Sequence, residues 1–352
     1  MSNSLKKVAI PLLVLLSFVG VLMTVSAPSH AETVSQEVPL KVEPQTKDLK
    51  FQNKNSSFFD FRLGNNDQLN QDLVIKVTNP STDQDVRFTT SVNQATTSKA
   101  AKMIYDGNGK LVKNLFDFKQ IVTPTDTSEH DVTLKPGESR DLHFHVQTPD
   151  NPVFQKFNGT ILGGVYILEH PTKQHAKKVA YPVAIMINKG TSSPNLSMKK
   201  VKPDTWKNHN TVDAMIINNH PDILGQMDYK ASVVKKGTND VVAQRTLKNG
   251  QIGPNNQFKF EIPWLTPRIT PGAYTMKVKI SSSDPQLGSK GGTWFLEKDF
   301  TVSVWDAIRL NAKITHSIPW GFVFCVIVFF GLIAGLIYWL LKIRNQREGL
   351  DK

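Results

Sequence analysis

Two long apolar runs bracket the chain, and short runs of alternating polarity fill the space between them. The first long run, Val8 to Val25, follows Lys6 and Lys7 and precedes Ser29-His30-Ala31. A basic start, an apolar centre and small residues at the −3 and −1 positions are the pattern of an export signal, here cleaved after Ala31. An uncleaved anchor is the rival reading. The second run, Ile318 to Leu341, carries no charge from Trp320 onward. At about 1.5 Å per residue it spans roughly 30 Å as a helix, the thickness of a bilayer core. Lys342, Arg344 and Arg347 follow at once, and Trp320, Tyr338 and Trp339 lie where interfacial aromatics belong. The expected layout is a signal peptide at 1–31, a transmembrane helix at 318–341 and a cytoplasmic tail at 342–352. The rest then lies outside the cell.

Between these runs no long helical period occurs. Leu73, Ile75 and Val77 alternate with polar neighbours, as do Leu142, Phe144 and Val146, and then Tyr274, Met276, Val278 and Ile280. Period two marks strands with one buried face. Turn signals separate them: Asn79-Pro80-Ser81, Asp106-Gly107-Asn108-Gly109, Pro136-Gly137, Asn249-Gly250 and Pro271-Gly272. Many short strands with frequent turns predict an all-β ectodomain of two tandem immunoglobulin-like β-sandwiches, plus the C-terminal transmembrane helix. The boundary falls near the polar stretch Asn188 to Pro194, giving domains at 32–187 and 188–304 and a linker at 305–317. In that linker Ala307, Ile308, Leu310, Ala312 and Ile314 would place one apolar side of a short helix against the domain or the membrane surface.

Charge separates the two domains. Residues 32–187 hold 18 basic and 18 acidic side chains, whereas 188–316 hold 18 basic and 10 acidic, a net +8 within the chain total of +12. A basic domain next to a membrane is drawn to anionic lipid headgroups or anionic wall polymers. Nucleic acid, the other usual partner of a basic surface, is argued against by the export topology. The one cysteine, Cys325, sits in the membrane run, so the ectodomain has no disulfide.

Chemistry-bearing patterns are sparse. His143 and His145 share a strand face, but no third metal ligand is evident, and no metal or cofactor is expected. Asp106-Gly107-Asn108-Gly109 lacks the closing acid of a calcium loop and reads as a tight turn. No nucleophile elbow, zinc-protease helix, phosphate loop or paired-Cys zinc pattern is present, so no catalytic residue is assigned. Gly163-Gly164 inside an apolar strand marks a bulge or a close backbone approach, and both are candidate binding residues. Phe58, across the strand from Phe59, is a third candidate, on a side open to recognition. Gly331 and Gly335 are candidates for close helix packing in the membrane.

Several motifs in order resemble the WxL-interacting protein family of Gram-positive bacteria: Phe58-Phe59-Asp60, Leu73 to Ser81, Asn93 to Thr97, Asn158 to Tyr166, Pro194 to Val201, Val212 to Asn219, Ile252 to Phe258, Pro271 to Tyr274 and Trp294 to Val302. The resemblance covers nearly the whole chain. It departs at Gly64 to Gln68, where the family tends to have a Pro-Gly-Gln turn, and at Ala100 to Met103, where an Asn-Gly pair is usual. It implies a peptidoglycan-binding domain followed by a host-binding domain, a membrane anchor, and partnership with WxL-domain surface proteins. A disulfide-free ectodomain agrees with such a surface. The expectation is a non-enzymatic adhesion or adaptor protein whose partners are peptidoglycan, WxL-domain proteins and host extracellular components. The alternatives are a wall-modifying enzyme with an unrecognised site and a structural subunit of a membrane complex.

Overall fold

The alternating runs pair with one another. In the computed structural model Leu73 lies opposite Phe144 and Ile75 opposite Leu142, so two stretches with matching period become neighbouring strands with one shared buried face. The structure describes residues 40–171, 178–314 and 320–348. The expected signal at 1–31 and the end of the expected tail lie outside the described residues.

The first half contributes β1 (Lys41–Pro44), β2 (Phe59–Arg62), β3 (Asn70–Thr78), β4 (Val86–Gln94), β5 (Thr96–Thr97), β6 (Met103–Ile104), β7 (Val122–Pro124), β8 (Asp131–Leu134), β9 (Ser139–Gln147), β10 (Gly159–Glu169) and β11 (Val179–Lys189). One sheet has the order β1-β3-β9-β7 and the facing sheet β2-β11-β10-β4-β8. Among the described residues only β2 and β11 pair in parallel, with Phe59 against Ile185 and Phe61 against Ile187. Leu73, Ile75, Val77, Leu142, Phe144 and Val146 from the first sheet bury against Phe59, Phe61, Phe88, Val165, Ile167 and Ile185 from the second. Two short helices, α1 (Phe118–Ile121) and α2 (Pro152–Gln155), insert Phe118 and Phe154 into the same core.

The second half contributes β12 (Leu196–Trp206), β13 (His209–Asn218), β14 (Leu224–Lys235), β15 (Val241–Ile252), β16 (Gln257–Pro263), β17 (Gly272–Ser282) and β18 (Gly292–Val302). Its sheets have the orders β12-β13-β16 and β15-β14-β17-β18. Tyr274, Met276, Val278 and Ile280 of β17 are buried, as their alternation predicts. They meet Tyr229, Phe258, Phe260 and Trp264 in an aromatic core, with Tyr229 edge-on to Phe258 at 5.9 Å and Trp264 edge-on to Tyr274 at 5.2 Å.

Within the stretch 305–317, expected to link, a helix forms. Ser303 caps α3 (Val304–Lys313) by accepting from the Asp306 N–H at 3.0 Å. Ala307 and Leu310 face the second core, and the Asn311 amide bonds both N–H and carbonyl of Ile269. Ile308 and Ala312 lie on the exposed side, so only part of the predicted apolar set is buried. The final helix, α4 (Trp320–Glu348), contains a stretch, Phe324–Lys342, long and apolar enough to cross a membrane.

The excursion between β4 and β7 leaves the first sandwich. Its two-stranded β5–β6 hairpin carries Ala101, fully buried within the core cluster of the second sandwich. The Gln251 N–H donates to the Ala101 carbonyl at 2.7 Å, and the Val112 N–H to that of Asn255 at 2.8 Å. Nearby, the Thr160 N–H donates to the Pro221 carbonyl at 2.6 Å. A Cβ on Gly159 would meet Pro221 at 2.7 Å, so that junction closes only around a glycine.

Candidate functional site

In the first sandwich the gap between the edges of β4 and β7 is spanned by α1 and by a 3-10 turn, Thr127–His130. Each is started by an aspartate: Asp117 accepts from the Lys119 N–H at 3.0 Å and Asp126 from the Ser128 N–H at 2.8 Å. Between them lies a groove of about 480 Å³. Its floor is Val92, Val122 and Phe144, all core residues, and its rim includes Lys119, Asp126 and His130.

The rim is electrostatically ordered. Hydrogen bonds from the backbone and hydroxyl of Ser128 hold the Asp126 carboxyl below its usual range, so Asp126 presents a charge. His130 meets the Thr90 carbonyl through Nδ1 at 2.9 Å; the carbonyl can only accept, so Nδ1 donates, and Nε2 remains for a ligand, as an acceptor in the neutral ring and a donor in the charged one. Glu129 turns inward, takes the His143 N–H at 2.8 Å, and is pushed up by burial. Apolar floor, one cation, one anion and one imidazole suit a ligand with both apolar and polar edges.

A second groove of about 600 Å³ lies in the second sandwich, lined by Asp228, Lys248, Asn249, Ser281, Ser283 and Lys290 among others.

The junction between the sandwiches holds an ion cluster. Lys259 of β16 pairs with buried Asp213 of β13, with Asp204 of β12 at 3.2 Å and with Glu261 at 3.6 Å. Lys99, from the hairpin excursion, reaches Glu261 at 2.5 Å. Burial pushes Asp213 up despite Lys259. Burial would also raise Asp204, but the Thr205 N–H and Lys259 outweigh it and hold that carboxyl at about 2. For Lys259 burial works against the charge, yet Asp213 and Asp204 more than offset it and raise the ammonium above its ordinary value. No sequence motif announces this cluster, because Lys99, Asp204, Asp213 and the Lys259–Glu261 pair come from separate elements that only the fold brings together.

The residues singled out from the sequence are not gathered into one site. Phe58 is half-buried against a small cluster of Ala95, Leu162 and Met186, with Met103, Tyr105 and Ile223 around it. Residues of the hairpin excursion and Ile223 of the second half thus pack on the same small cluster as Phe58. Gly163 and Gly164 sit in an unbroken ladder, paired without a register shift to β11 and β4, so there is no bulge. They permit close approach instead. A Cβ on Gly163 would meet the Phe118 ring at 2.4 Å, and one on Gly164 would meet the Val183 carbonyl oxygen at 2.5 Å and the Tyr105 ring at 3.0 Å. His145 bonds Asp72 across the strands at 2.7 Å, and His143 uses its backbone N–H on Glu129. Asp106 closes its turn by accepting from the Asn108 N–H at 3.0 Å, with Gly107 at φ 77°. Around Gly331 and Gly335 an added Cβ would meet nothing within 4 Å. Sequence reasoning missed the groove because its residues come from β4, α1, β7 and β9, which only the sandwich brings together.

A comparison with curated proteins returns no match. Among solved structures the chain is similar to one from the chaperone–tip adhesion subunit pre-assembly complex of the archaic chaperone-usher Csu pili of Acinetobacter baumannii. That pair shares 13% identity over 67% of this chain and 94% of the other, with a TM-score of 0.33. It is also similar to the class 5 fimbriae chaperone CfaA, at 13% identity over 68% and 96%, with a TM-score of 0.27. Both likenesses are remote. The family model for the WxL Interacting Protein peptidoglycan binding domain matches residues 41–169, and that for the host binding domain matches 174–312. The second match begins before β11, which pairs within the first sandwich. Together and in this order, the two matches show that the chain belongs to the WxL Interacting Protein family.

Proposed function

We propose that this protein is a membrane-anchored adaptor of the Gram-positive surface, and that the β4–β7 groove is where its first sandwich engages peptidoglycan. The observation that carries the reading is a groove with an apolar floor and a charged rim inside the stretch matched by a peptidoglycan-binding model. Glycan rings offer apolar faces, and stem peptides offer both amide donors and carboxylates, which Asp126, His130 and Lys119 complement. In this reading α4 crosses the membrane with its basic end in the cytoplasm, WxL-domain proteins are recruited at the wall, and the +8 second domain meets host components or polyanions.

Retention of the protein on purified cell-wall sacculi tests the groove. Thr127→Trp fills it from an exposed rim position and is expected to lower retention about tenfold. Unchanged retention of a folded Thr127→Trp protein would remove the groove from the reading.

A further inference from the structure

Helix α3 has two apolar faces, and the sandwich uses one. Ala307 and Leu310 bury against the second core, and Ile314 at the helix end is buried too. At 3.6 residues per turn, Trp305, Ile308 and Ala312 fall on a separate stripe that points away from the core, with Val304 at its margin. Trp305 is 79% exposed, Val304 59% and Ile308 55%. Arg309 and Lys313 flank the stripe, the first paired with Asp306 at 2.8 Å. An exposed tryptophan and isoleucine beside cations are what an interfacial helix presents to a bilayer: an apolar stripe that sinks below the headgroups and basic side chains at their level.

Chain length places this face near a membrane. From Ile314 to Trp320, where α4 begins, the backbone reaches at most about 20 Å. Other exposed apolar side chains share this end of the sandwich. Asn210 Nδ2 bonds both the Asn311 side chain at 2.8 Å and the Pro267 carbonyl at 3.1 Å, tying the β12–β13 turn and the loop after β16 to α3. That turn carries Trp206 with Lys207 over its ring at 4.6 Å, and that loop carries exposed Leu265 and Arg268.

We infer that the outward face of α3 docks on the surface of the bilayer that α4 crosses, with Val304, Trp305 and Ile308 in the headgroup layer and Arg309 and Lys313 on anionic phospholipid. The inference rests on reading α4 as a membrane span. A bilayer is the occupant because the tether holds this face beside it, and a stripe backed by two cations matches an anionic apolar interface.

The test uses the full chain in vesicles of phosphatidylglycerol and phosphatidylcholine with brominated acyl chains. Cys325→Ser removes the only cysteine, and Ile308→Cys then carries a polarity-sensitive fluorophore. Ser289→Cys, exposed beyond the opposite end of β17, carries it in the control. Severalfold stronger quenching at 308 than at 289 is expected. It should fall when phosphatidylglycerol is omitted or when Arg309→Glu and Lys313→Glu are introduced. Equal weak quenching at both positions overturns the inference. Shielding of the 308 probe in detergent that grows with protein concentration assigns the face to a second copy of the chain and overturns it too. Flotation of both labelled proteins with the vesicles reads the anchor separately: without flotation the span itself fails, and the inference with it.

Discussion

Asn256, buried in the second sandwich, accepts the Thr97 N–H of the first on Oδ1 at 2.8 Å, across 159 positions of chain. Its Nδ2 donates back to the Ala95 carbonyl at 3.2 Å and to that of Pro254 at 3.1 Å. One side-chain amide thus does for the hairpin what a neighbouring strand would do, satisfying a backbone donor and acceptor where water is excluded. Asn256→Ala leaves both groups unpaired and is expected to cost about 2 kcal/mol. Urea unfolding of the full chain in detergent should show it, with the single transition splitting as the halves uncouple. Asn219→Ala, an exposed amide bonded to Ser197, is the control and should stay within roughly 0.5 kcal/mol. A silent Asn256→Ala would mean that the junction is held elsewhere.

The Lys259 cluster makes a signed prediction about acid. Asp204, at about 2 in the folded chain against 3.8 unfolded, contributes stability that is fully present above pH 4 and is lost as pH falls toward 2. Asp213 is raised, so its contribution has the opposite sign and favours proton uptake. Asp204→Asn should therefore reduce the loss of stability between pH 6 and pH 2.5 by roughly 2 kcal/mol. Denaturation midpoints at the two pH values measure it; an identical acid loss in the variant would dismiss the assignment. Lys259→Met leaves Asp213 buried without its cation and should cost about 3 kcal/mol at neutral pH.

Gly163 is a packing glycine, pressed against the Phe118 ring. Gly163→Ala drives a methyl into the Phe118 ring and should destabilise the protein by about 1–3 kcal/mol. Adding Phe118→Leu should recover part of that loss, a coupling of about 1 kcal/mol in a double-mutant cycle. If Gly163→Ala instead left stability unchanged and reduced retention on sacculi, the glycine would belong to a ligand contact.

What the chain determined by itself is local or compositional. Alternation at Leu73 to Val77, Leu142 to Val146 and Tyr274 to Ile280 specifies which face of each strand is buried, because side chains in a strand alternate with period two. The apolar length of α4 and the charge step between the halves are likewise countable without a structure. Tertiary structure decided what depends on partners distant in sequence. The excursion carrying Ala101 into the second core, the Lys99–Glu261 pair and the Val92–Val122–Phe144 floor join residues with no mutual period. Gly163 shows the limit most clearly. Composition marked it as costly in a strand, but whether that cost bought a bulge or room for a ring depended on where Phe118 lay. Phe118 reaches β10 only because the sandwich closes and α1 caps its open edge, and no local pattern encodes that closure.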